Sequence, residues 1–351
     1  MIAKKSKNLE CEAASRAFAK QRRKSFGIFL FAKLRDFLIT LLLMSLLVFF
    51  IFYIVPGDPV SMIMGTEGSM EKRAALEELL GTKKPAMTRY WDSLRGLFSE
   101  ETPSLSLRFQ KPVKDLIAPR LGLSLELAGL SFMLCLVLAV PLAIVATRHE
   151  DSWLDRLILY CAEFFMAVPG FFMAIILILL FAFVFKNFVP GSYVPAEKSF
   201  WGHFQSLLLP AFALALPKLA QIIFFFRTAL LKTKRQAFIR TAFAKGADLG
   251  RITRRHMLRN SLLPLVLSSS LVLIDMLTGS LVVEQVFVLP GVGRLLFTAI
   301  EARDLPLAQG IILSLAGLVV LVNMLADLLA AWIDPRLKLE EFSLSEVDSN
   351  A

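Results

Sequence analysis

The sequence predicts an all-α, polytopic membrane protein with about six transmembrane helices, and three observations lead to this fold class. Hydrophobic residues make up 56% of the 351-residue chain, and the mean hydropathy is +0.64. These residues are grouped in long apolar blocks rather than spread with one periodicity. Lysine and arginine cluster in the segments that flank the blocks. Because about 20 residues at ~1.5 Å each cross a ~30 Å hydrocarbon core, such blocks are typical of membrane spans.

The blocks divide the chain into spans and polar connections. The predicted spans are 36–55, 121–147, 156–185, 205–226, 262–289 and 307–333. The first is too long for a signal-peptide core and has no cleavage site, so it is expected to remain as an anchor. The predicted organisation is a basic tail at 1–35, the first span at 36–55, an outer segment at 56–120, a transmembrane core at 121–333 with a long connection at 227–261, and a tail at 334–351.

The distribution of basic residues predicts the orientation in a bacterial cytoplasmic membrane. The N-terminal tail and the 227–261 connection are both rich in lysine and arginine, which places them on the cytoplasmic side. An even number of spans then puts both termini in the cytoplasm. The formal net charge of +10 is explained by these flanking residues, so no nucleic-acid partner is expected.

Several ionisable residues lie within predicted spans, where a charge is costly and usually marks a site. Among them are Glu126, Glu163, Asp275, Glu284 and Asp327. Glu126 and Glu284 lie near span ends, where water is expected to be close. Asp275 and Glu163 are the least explained, and they leave open an ion-coupled secondary transporter.

Enzymatic motifs do not stand out in this sequence. It contains no G-x-x-x-x-G-K-[ST], G-x-S-x-G or H-E-x-x-H pattern. The three histidines, at His149, His203 and His256, are far apart in sequence and form no metal-ligand cluster with cysteine. We therefore predict no catalytic residue, no metal ligand and no cofactor on this chain.

The 227–261 connection is far longer than a turn between two spans requires. It predicts one helix ending near Gly246, a turn at Gly246–Gly250 and a second helix that leads into the next span. Small residues surround the turn, among them Ala242, Ala244 and Ala247. By physical chemistry alone, a basic interfacial helix and an element that docks on another protein fit this pattern equally well.

Several motifs here resemble one known family. Arg240-Thr241-Ala242-Phe243-Ala244-Lys245-Gly246 is similar to its cytoplasmic loop signature, and His256, Asn260 and Pro264 follow at its spacing. The chain also has Pro56-Gly57-Asp58-Pro59 after the first span, then Gly279, Glu284, Pro290-Gly291-Val292-Gly293, Arg303-Asp304 and finally Asp334-Pro335-Arg336. In this order they resemble the inner-membrane permease subunit of bacterial ABC importers, in particular the oligopeptide/dipeptide subfamily.

The resemblance implies a type I importer permease fold and half of a translocation pathway for peptides. It implies a second homologous permease, two cytosolic ATPases that carry ATP and Mg, a periplasmic or lipid-anchored binding protein, and membrane lipid as partners. The residues around Gly246, from Arg240 to Ala247, would be the ATPase-coupling helix. Gly279, Glu284 and the Pro290–Gly293 turn would lie at the outer gate, and Asp334-Pro335-Arg336 would end the last helix. Within the same subfamily, nickel or another non-peptide solute remains an alternative substrate.

Overall fold

The computed structural model describes residues 31–51, 54, 85–99, 103–184 and 193–333 of the protein, and these residues are mainly helical. The helices are α1 (Phe31–Ile51), α2 (Ala86–Phe98), α3 (Val113–Arg148), α4 (Trp153–Ala167), α5 (Gly170–Val184), α6 (Phe200–Lys234), α7 (Ala237–Ala244), α8 (Leu249–Ile252), a π-helical turn (Thr253–Met257), α9 (Leu258–Val286), α10 (Val292–Glu301) and α11 (Leu305–Ile333). Five of the described helices are long and apolar enough to cross a membrane, and six spans result if the bent pair α4–α5 is one span. The predicted fold class is confirmed.

Helix α6 lies at the centre of the bundle and packs against α3, α4, α5 and α9. Small residues such as Ala211, Ala215 and Ala220 are fully buried along it and allow the neighbouring helix backbones to approach closely. Larger side chains, among them Ile222 and Phe226, fill the remaining space toward one end. This main core therefore depends on alternation of small and large residues along one helix.

The segment predicted as a single span at 156–185 is two helices that meet at 101°. Helix α4 ends at Ala167, and Val168 has an extended backbone with φ −93° and ψ 119°. The next residue, Pro169, restricts Val168 to extended conformations and has no N–H for a helical hydrogen bond. The Val168-Pro169-Gly170 sequence is thus the local cause of the bend, which corrects the prediction.

The helix ends also differ from the predicted spans. Helix α6 continues past 226 to Lys234, so the long connection is shorter than predicted. The first residues of the predicted connection belong to the end of the spanning helix α6, and a separate short helix, α7, precedes Gly246. Helix α3 begins at Val113 rather than at 121 and has 36 residues, about 54 Å at ~1.5 Å per residue. We call the side of the bundle that carries Arg235–Met257 the loop side, and the opposite side the far side.

A second, smaller core lies on the far side of the bundle. It joins the first turns of α3, through Val113 and Ile117, to α10 and to the start of α11. The outer segment is therefore not an isolated cap, because its last residues share buried surface with the helices that follow the Pro290–Gly293 turn.

The buried carboxylate of Asp304 stabilises this second core through hydrogen bonds. It accepts hydrogen bonds from the Ser106 hydroxyl at 2.5 Å and the Arg108 N–H at 3.1 Å. It also accepts one from the Leu307 N–H at 3.2 Å, which caps the start of α11. Asp304 is 0% exposed, so one side chain joins the loop before α3 to the start of α11.

Several predicted features lie outside the described residues. These are the Pro56-Gly57-Asp58-Pro59 turn, most of the 1–35 tail and the Asp334-Pro335-Arg336 motif.

Replacing Asp304 by alanine should destabilise the far side. The substitution leaves three donors without their acceptor in a buried site, at a cost of about 2–4 kcal/mol in the free energy of unfolding. Thermal unfolding in detergent should show a clearly lowered Tm. Asp115→Ala, at an exposed first-turn position of α3, should cost less than about 1 kcal/mol. Equal effects of the two substitutions would contradict this account.

Candidate coupling loop and far-side turn

The short helix α7 ends in a Schellman motif centred on Gly246. The Ala247 N–H donates to the Ala242 carbonyl at 3.2 Å, and the Gly246 N–H donates to the Phe243 carbonyl at 2.9 Å. Gly246 has φ +82°, in the left-handed region that glycine adopts without strain. The predicted sharp turn at Gly246 is confirmed. A Cβ added there would meet no described atom of the chain within 4 Å, so the chain itself does not exploit the predicted close approach.

Helix α7 has one buried side and one open side. Ile239 is fully buried in the main core, and Ala242 packs against the same core. On the open side, Phe238 and Phe243 are 46% and 44% exposed. Two large aromatic side chains exposed on an eight-residue helix form the kind of surface that a partner protein covers. Sequence reasoning emphasised the small residues and did not assign a role to these rings.

Most of the predicted coupling-loop residues at 240–247 also lie on the open side of α7. Arg240, Thr241, Ala244, Lys245 and Gly246 are exposed, whereas Ala247 is half-buried. The structure therefore brings the predicted loop residues at 240–247, other than Ala242 and Ala247, together on one exposed surface, which consists of residues 238, 240, 241 and 243–246. We call this surface the α7 face.

Ion pairs join the base of α7 to the turn between α3 and α4. Arg227, on α6, donates to both carboxylate oxygens of Asp155, at 2.8 and 2.5 Å. Near the end of α6, Lys234 lies 2.7 Å from a Glu150 oxygen and Arg235 lies 3.3 Å from the other. Asp155 is only 2% exposed. We call these contacts the α6 clamp, since they fix the end of α6 from which α7 departs.

Sequence reasoning missed both acids of the α6 clamp. It counted the basic partners only as markers of orientation, because Glu150 and Asp155 lie 72–85 residues earlier in the chain. The local indication of these ion pairs in the sequence was the acid-rich turn between two apolar blocks. The hydrogen bond from Lys234 is the main reason why the pKa of Glu150 is lowered from its usual value.

After α8 the chain returns to the bundle through a π-helical turn. The Leu258 N–H donates to the Thr253 carbonyl, five residues earlier. His256 lies in this turn, and the Asn260 side-chain amide donates to its carbonyl at 2.7 Å. Pro264 lies inside α9, one turn further on. The predicted residues His256, Asn260 and Pro264 therefore lie at four-residue spacing on one helix face. They are not part of the α7 face.

The predicted outer-gate residues meet at a tight turn on the far side. The Gly293 N–H donates to Glu284 Oε2 at 2.7 Å. A Cβ on Gly291 would lie 2.2 Å from the Glu284 carboxylate, and a Cβ on Gly293 would lie 2.4 Å from the Leu281 backbone. Gly293 is therefore required by the close approach of a neighbouring backbone, whereas a Cβ on Gly291 would have to displace the Glu284 carboxylate. Pro290 is exposed at the tip of the turn.

The predictions for Glu284 and Gly279 need correction. Glu284 was expected near water at a span end, but it is 0% exposed, because the turn folds back over it. Gly279 does not reach this turn; it faces Leu214 on α6, where a Cβ would meet the leucine side chain at 3.2 Å. Its small size serves the contact between α9 and α6.

The end of α9 contains backbone strain beside this turn. The Leu289 N–H donates to the Glu284 carbonyl at 2.9 Å and the Val288 N–H donates to the Gln285 carbonyl at 3.3 Å, which is again a Schellman arrangement. Here the left-handed position is Val288, with φ 59°. A β-branched residue in this region costs about 1–3 kcal/mol and persists only where its surroundings impose it.

Three of the other acids in predicted spans are paired. Asp275 lies 2.8 Å from Lys218 Nζ, Glu126 lies 3.0 Å from His203 Nε2 and Asp327 lies 2.9 Å from Lys33 Nζ. Glu163 is exposed on α4. Within the described ranges, no group of three or more His, Cys, Asp or Glu residues is arranged to hold a metal ion.

The fold is that of an ABC importer membrane subunit. A chain of the MetNI methionine ABC transporter, solved in an inward-facing conformation, superposes with a TM-score of 0.52. The match covers 64% of this chain and 99% of the MetNI chain, at 17% sequence identity. At this identity the similarity defines the fold alone.

The chain belongs to the family of binding-protein-dependent transport system inner membrane components. This family matches residues 139–339, and its N-terminal component matches residues 27–128. A putative peptide transport system permease protein of Brucella abortus is 35% identical over 298 residues, which are 85% of this chain and 95% of the relative. The oligopeptide permease AppB of Bacillus subtilis is 32% identical, over 85% of this chain and 95% of AppB. The dipeptide permease DppB of Escherichia coli is 30% identical, over 84% and 94%.

The family relationship makes this chain a multi-pass inner-membrane transport component. The predicted resemblance is confirmed.

Gly293→Ala should disrupt the far-side turn. The new methyl group would lie 2.4 Å from the Leu281 backbone, which cannot move like a flexible side chain. We expect destabilisation by about 1–3 kcal/mol and a lower yield of folded protein in detergent gel filtration. Gly129→Ala is the matched control, because a Cβ there meets nothing within 4 Å. A normal yield for Gly293→Ala would contradict the close-approach argument.

The α6 clamp should make stability depend on pH. The pKa of Glu150 is lowered in the folded protein, so its ion pairs stabilise the fold above the unfolded-state pKa of about 4.3 and are lost as pH falls through the folded value. Glu150→Gln should lower Tm at pH 7, by an amount worth at most about 1 kcal/mol for a solvent-screened pair. That difference should disappear at pH values below the folded pKa. Glu301→Gln, at an exposed position on α10, should change Tm little at either pH.

Proposed function

We propose that this chain forms half of the translocation pathway of an ATP-driven peptide importer and that the α7 face docks into a cleft of a cytosolic ATPase subunit. The observation that carries the proposal is the α7 face itself. It combines exposed aromatic rings, exposed basic residues and a glycine-centred turn on a helix whose other side is anchored in the core. An interfacial helix would turn its apolar side toward lipid, whereas α7 turns Ile239 and Ala242 into the protein and has exposed polar residues between its exposed rings.

Energy from ATP can reach the pathway only if the docked element and the spans move together. The α6 clamp supports this requirement, because it links the residues just before α7 to the α3–α4 turn as well as to α6. On the other side of α7, buried Ile252 and Met257 hold the return to α9 in the core. A displacement of α7 by the ATPase would therefore be transmitted to α3, α6 and α9 rather than absorbed by loose connections.

The remaining partners follow from this assignment. A second homologous permease would supply the other half of the pathway, two ATPase subunits would carry ATP and Mg, and a binding protein would deliver the solute. The basic loop side and both termini would face the cytoplasm. The peptide substrate is proposed because the relatives named above are described as peptide, oligopeptide and dipeptide transport permeases.

Two alternative functions receive less support. An ion-coupled transporter would use Asp275 as an ion ligand, whereas Asp275 is paired with Lys218 at 2.8 Å. A nickel importer of the same subfamily would share every feature described here, and only uptake measurements on defined solutes separate it from a peptide importer.

Gly246→Asp should leave the protein inserted in the membrane and uncouple ATP hydrolysis from uptake. The added carboxylate would occupy the open space above the turn where the ATPase is proposed to bind. We expect peptide uptake to fall by at least about ten-fold. This corresponds to a loss of about 1.4 kcal/mol or more in the free energy of docking on the ATPase. Uptake of a labelled peptide and chain abundance in the same membranes provide the measurement. Wild-type uptake at wild-type abundance would contradict the coupling role.

A second variant separates docking from folding. Phe243→Ala should reduce co-purification of the ATPase subunits, because an exposed aromatic ring is lost from the α7 face. Phe172→Ala, at a similarly exposed position on α5, is the matched control and should leave co-purification unchanged.

A further inference from the structure

A charged pair lies in the middle of the membrane-spanning part of the bundle. Lys218, on α6, and Asp275, on α9, are joined by a hydrogen bond of 2.8 Å. Lys218 is about 27 Å from the start of α6 and about 24 Å from its end, at ~1.5 Å per residue. A lysine side chain cannot reach the membrane surface over such a distance by extending along the helix. The pair is therefore located at mid-membrane depth.

The pair is not covered by the described part of the chain. The Lys218 and Asp275 side chains are 30% and 47% exposed. On α9, Asp275 belongs to a stripe of open positions at three- and four-residue spacing, which includes Leu271, Thr278 and Val282. This stripe is one continuous helix face.

Hydrocarbon is a poor environment for this face. A half-exposed carboxylate and ammonium are costly in lipid even when they are paired, because each retains hydrogen-bonding capacity outside the pair. The bond between them uses one of the three N–H groups of lysine and one oxygen of aspartate. The remaining donors and acceptors require water or a polar ligand. Thr278 and the half-buried Gln221 add polar groups on the same sides of the two helices.

We propose that Lys218 and Asp275 form a charge-exchange site in the wall of the translocation pathway, where the charged groups of a passing peptide replace one member of the pair. A peptide ammonium can take the place of Lys218 at the aspartate, and a peptide carboxylate can take the place of Asp275 at the lysine. When the ammonium and a carboxylate of one peptide make both exchanges together, every charge keeps a partner, so the peptide can pass mid-membrane without leaving an uncompensated charge. The proposal rests on the proposed function and names where its substrate makes polar contact.

Thiol labelling tests whether the site faces water. The background chain has Cys11, Cys135 and Cys161 replaced, because these are its native cysteines. In membrane vesicles that carry the complete transporter, Asp275→Cys should react with a charged methanethiosulfonate reagent about ten-fold or more faster than Val272→Cys, since the thiolate must meet water and reagent. Val272 lies on the same helix and is 0% exposed. Reaction of the cysteine at 275 only with an uncharged, lipid-soluble maleimide would place it against lipid or the second permease and would overturn the proposal.

Uptake of charged peptides tests the exchange itself. The measured quantity is the ratio of uptake of Ala-Lys-Ala to that of Ala-Glu-Ala. Lys218→Met leaves an unpaired carboxylate and should raise this ratio by about five-fold, whereas Asp275→Asn leaves an unpaired ammonium and should lower it by about five-fold. The exchanged pair Lys218→Asp/Asp275→Lys should stay within about two-fold of wild type, because both charges remain.

The outcomes separate this proposal from the proposed function. A structural role alone would reduce uptake of both peptides and leave the ratio unchanged, which would overturn the proposal. If the single-charge variants do not accumulate in the membrane, the exchanged pair, which keeps both charges, carries the test: a peptide-uptake ratio more than about two-fold from wild type would overturn the proposal. Failure of the wild-type transporter to take up either peptide would contradict the peptide-import function, while the reaction at position 275 would continue to report whether the site faces water.

Discussion

The close packing of α6 is the constraint on which the rest of the structure depends. A helix in a membrane gains little from the hydrophobic effect against lipid, so its association relies on shape and on polar contacts. Fully buried alanines along α6 let α3, α4, α5 and α9 approach it. Both ends of α6 also make polar contacts with neighbouring elements: His203 near its start pairs with Glu126 of α3, and basic residues near its end pair with Asp155 of α4 and with Glu150. Displacing α6 would therefore disturb both sides of the bundle.

Helix termination by the Schellman motif recurs at each functional turn. Helices α7, α9 and α10 all end in this motif, with Gly246, Val288 and Arg303 in the left-handed position. Only the first has the glycine that makes this conformation free of strain. At Val288 and Arg303 the strain is maintained by buried acids, because Glu284 and Asp304 bind the backbone that follows. The loop side thus has a relaxed turn, and the far side has two turns held by carboxylates.

The acids of the bundle are accommodated in different ways. Asp155 and Asp304 are buried and hydrogen-bonded by several donors, which fixes connections at the two sides. Glu284 binds a backbone N–H under a turn that leaves no room for a side chain on either glycine. Asp275 differs from these, since its bond to Lys218 lies on an open face at mid-membrane. Burial therefore distinguishes Asp155, Asp304 and Glu284 from Asp275. Position distinguishes Asp275, whose partner lies in the middle of α6, from the similarly exposed Glu126, whose partner lies near the start of α6, and Asp327, which lies near the end of α11.

The sequence by itself determined the fold class, the approximate spans, the family and the sharp turn at Gly246, because apolar blocks, flanking charges and glycine act locally along the chain. The Val168-Pro169-Gly170 break also had a local signal, although the single span predicted there ignored it. Only the tertiary structure decided that Glu150 and Asp155 clamp α6, that Glu284 is buried, that Phe238 and Phe243 are exposed, and that Lys218 meets Asp275. These properties depend on which helix faces contact each other across many residues of chain, and the periodicity of one helix does not specify its partner.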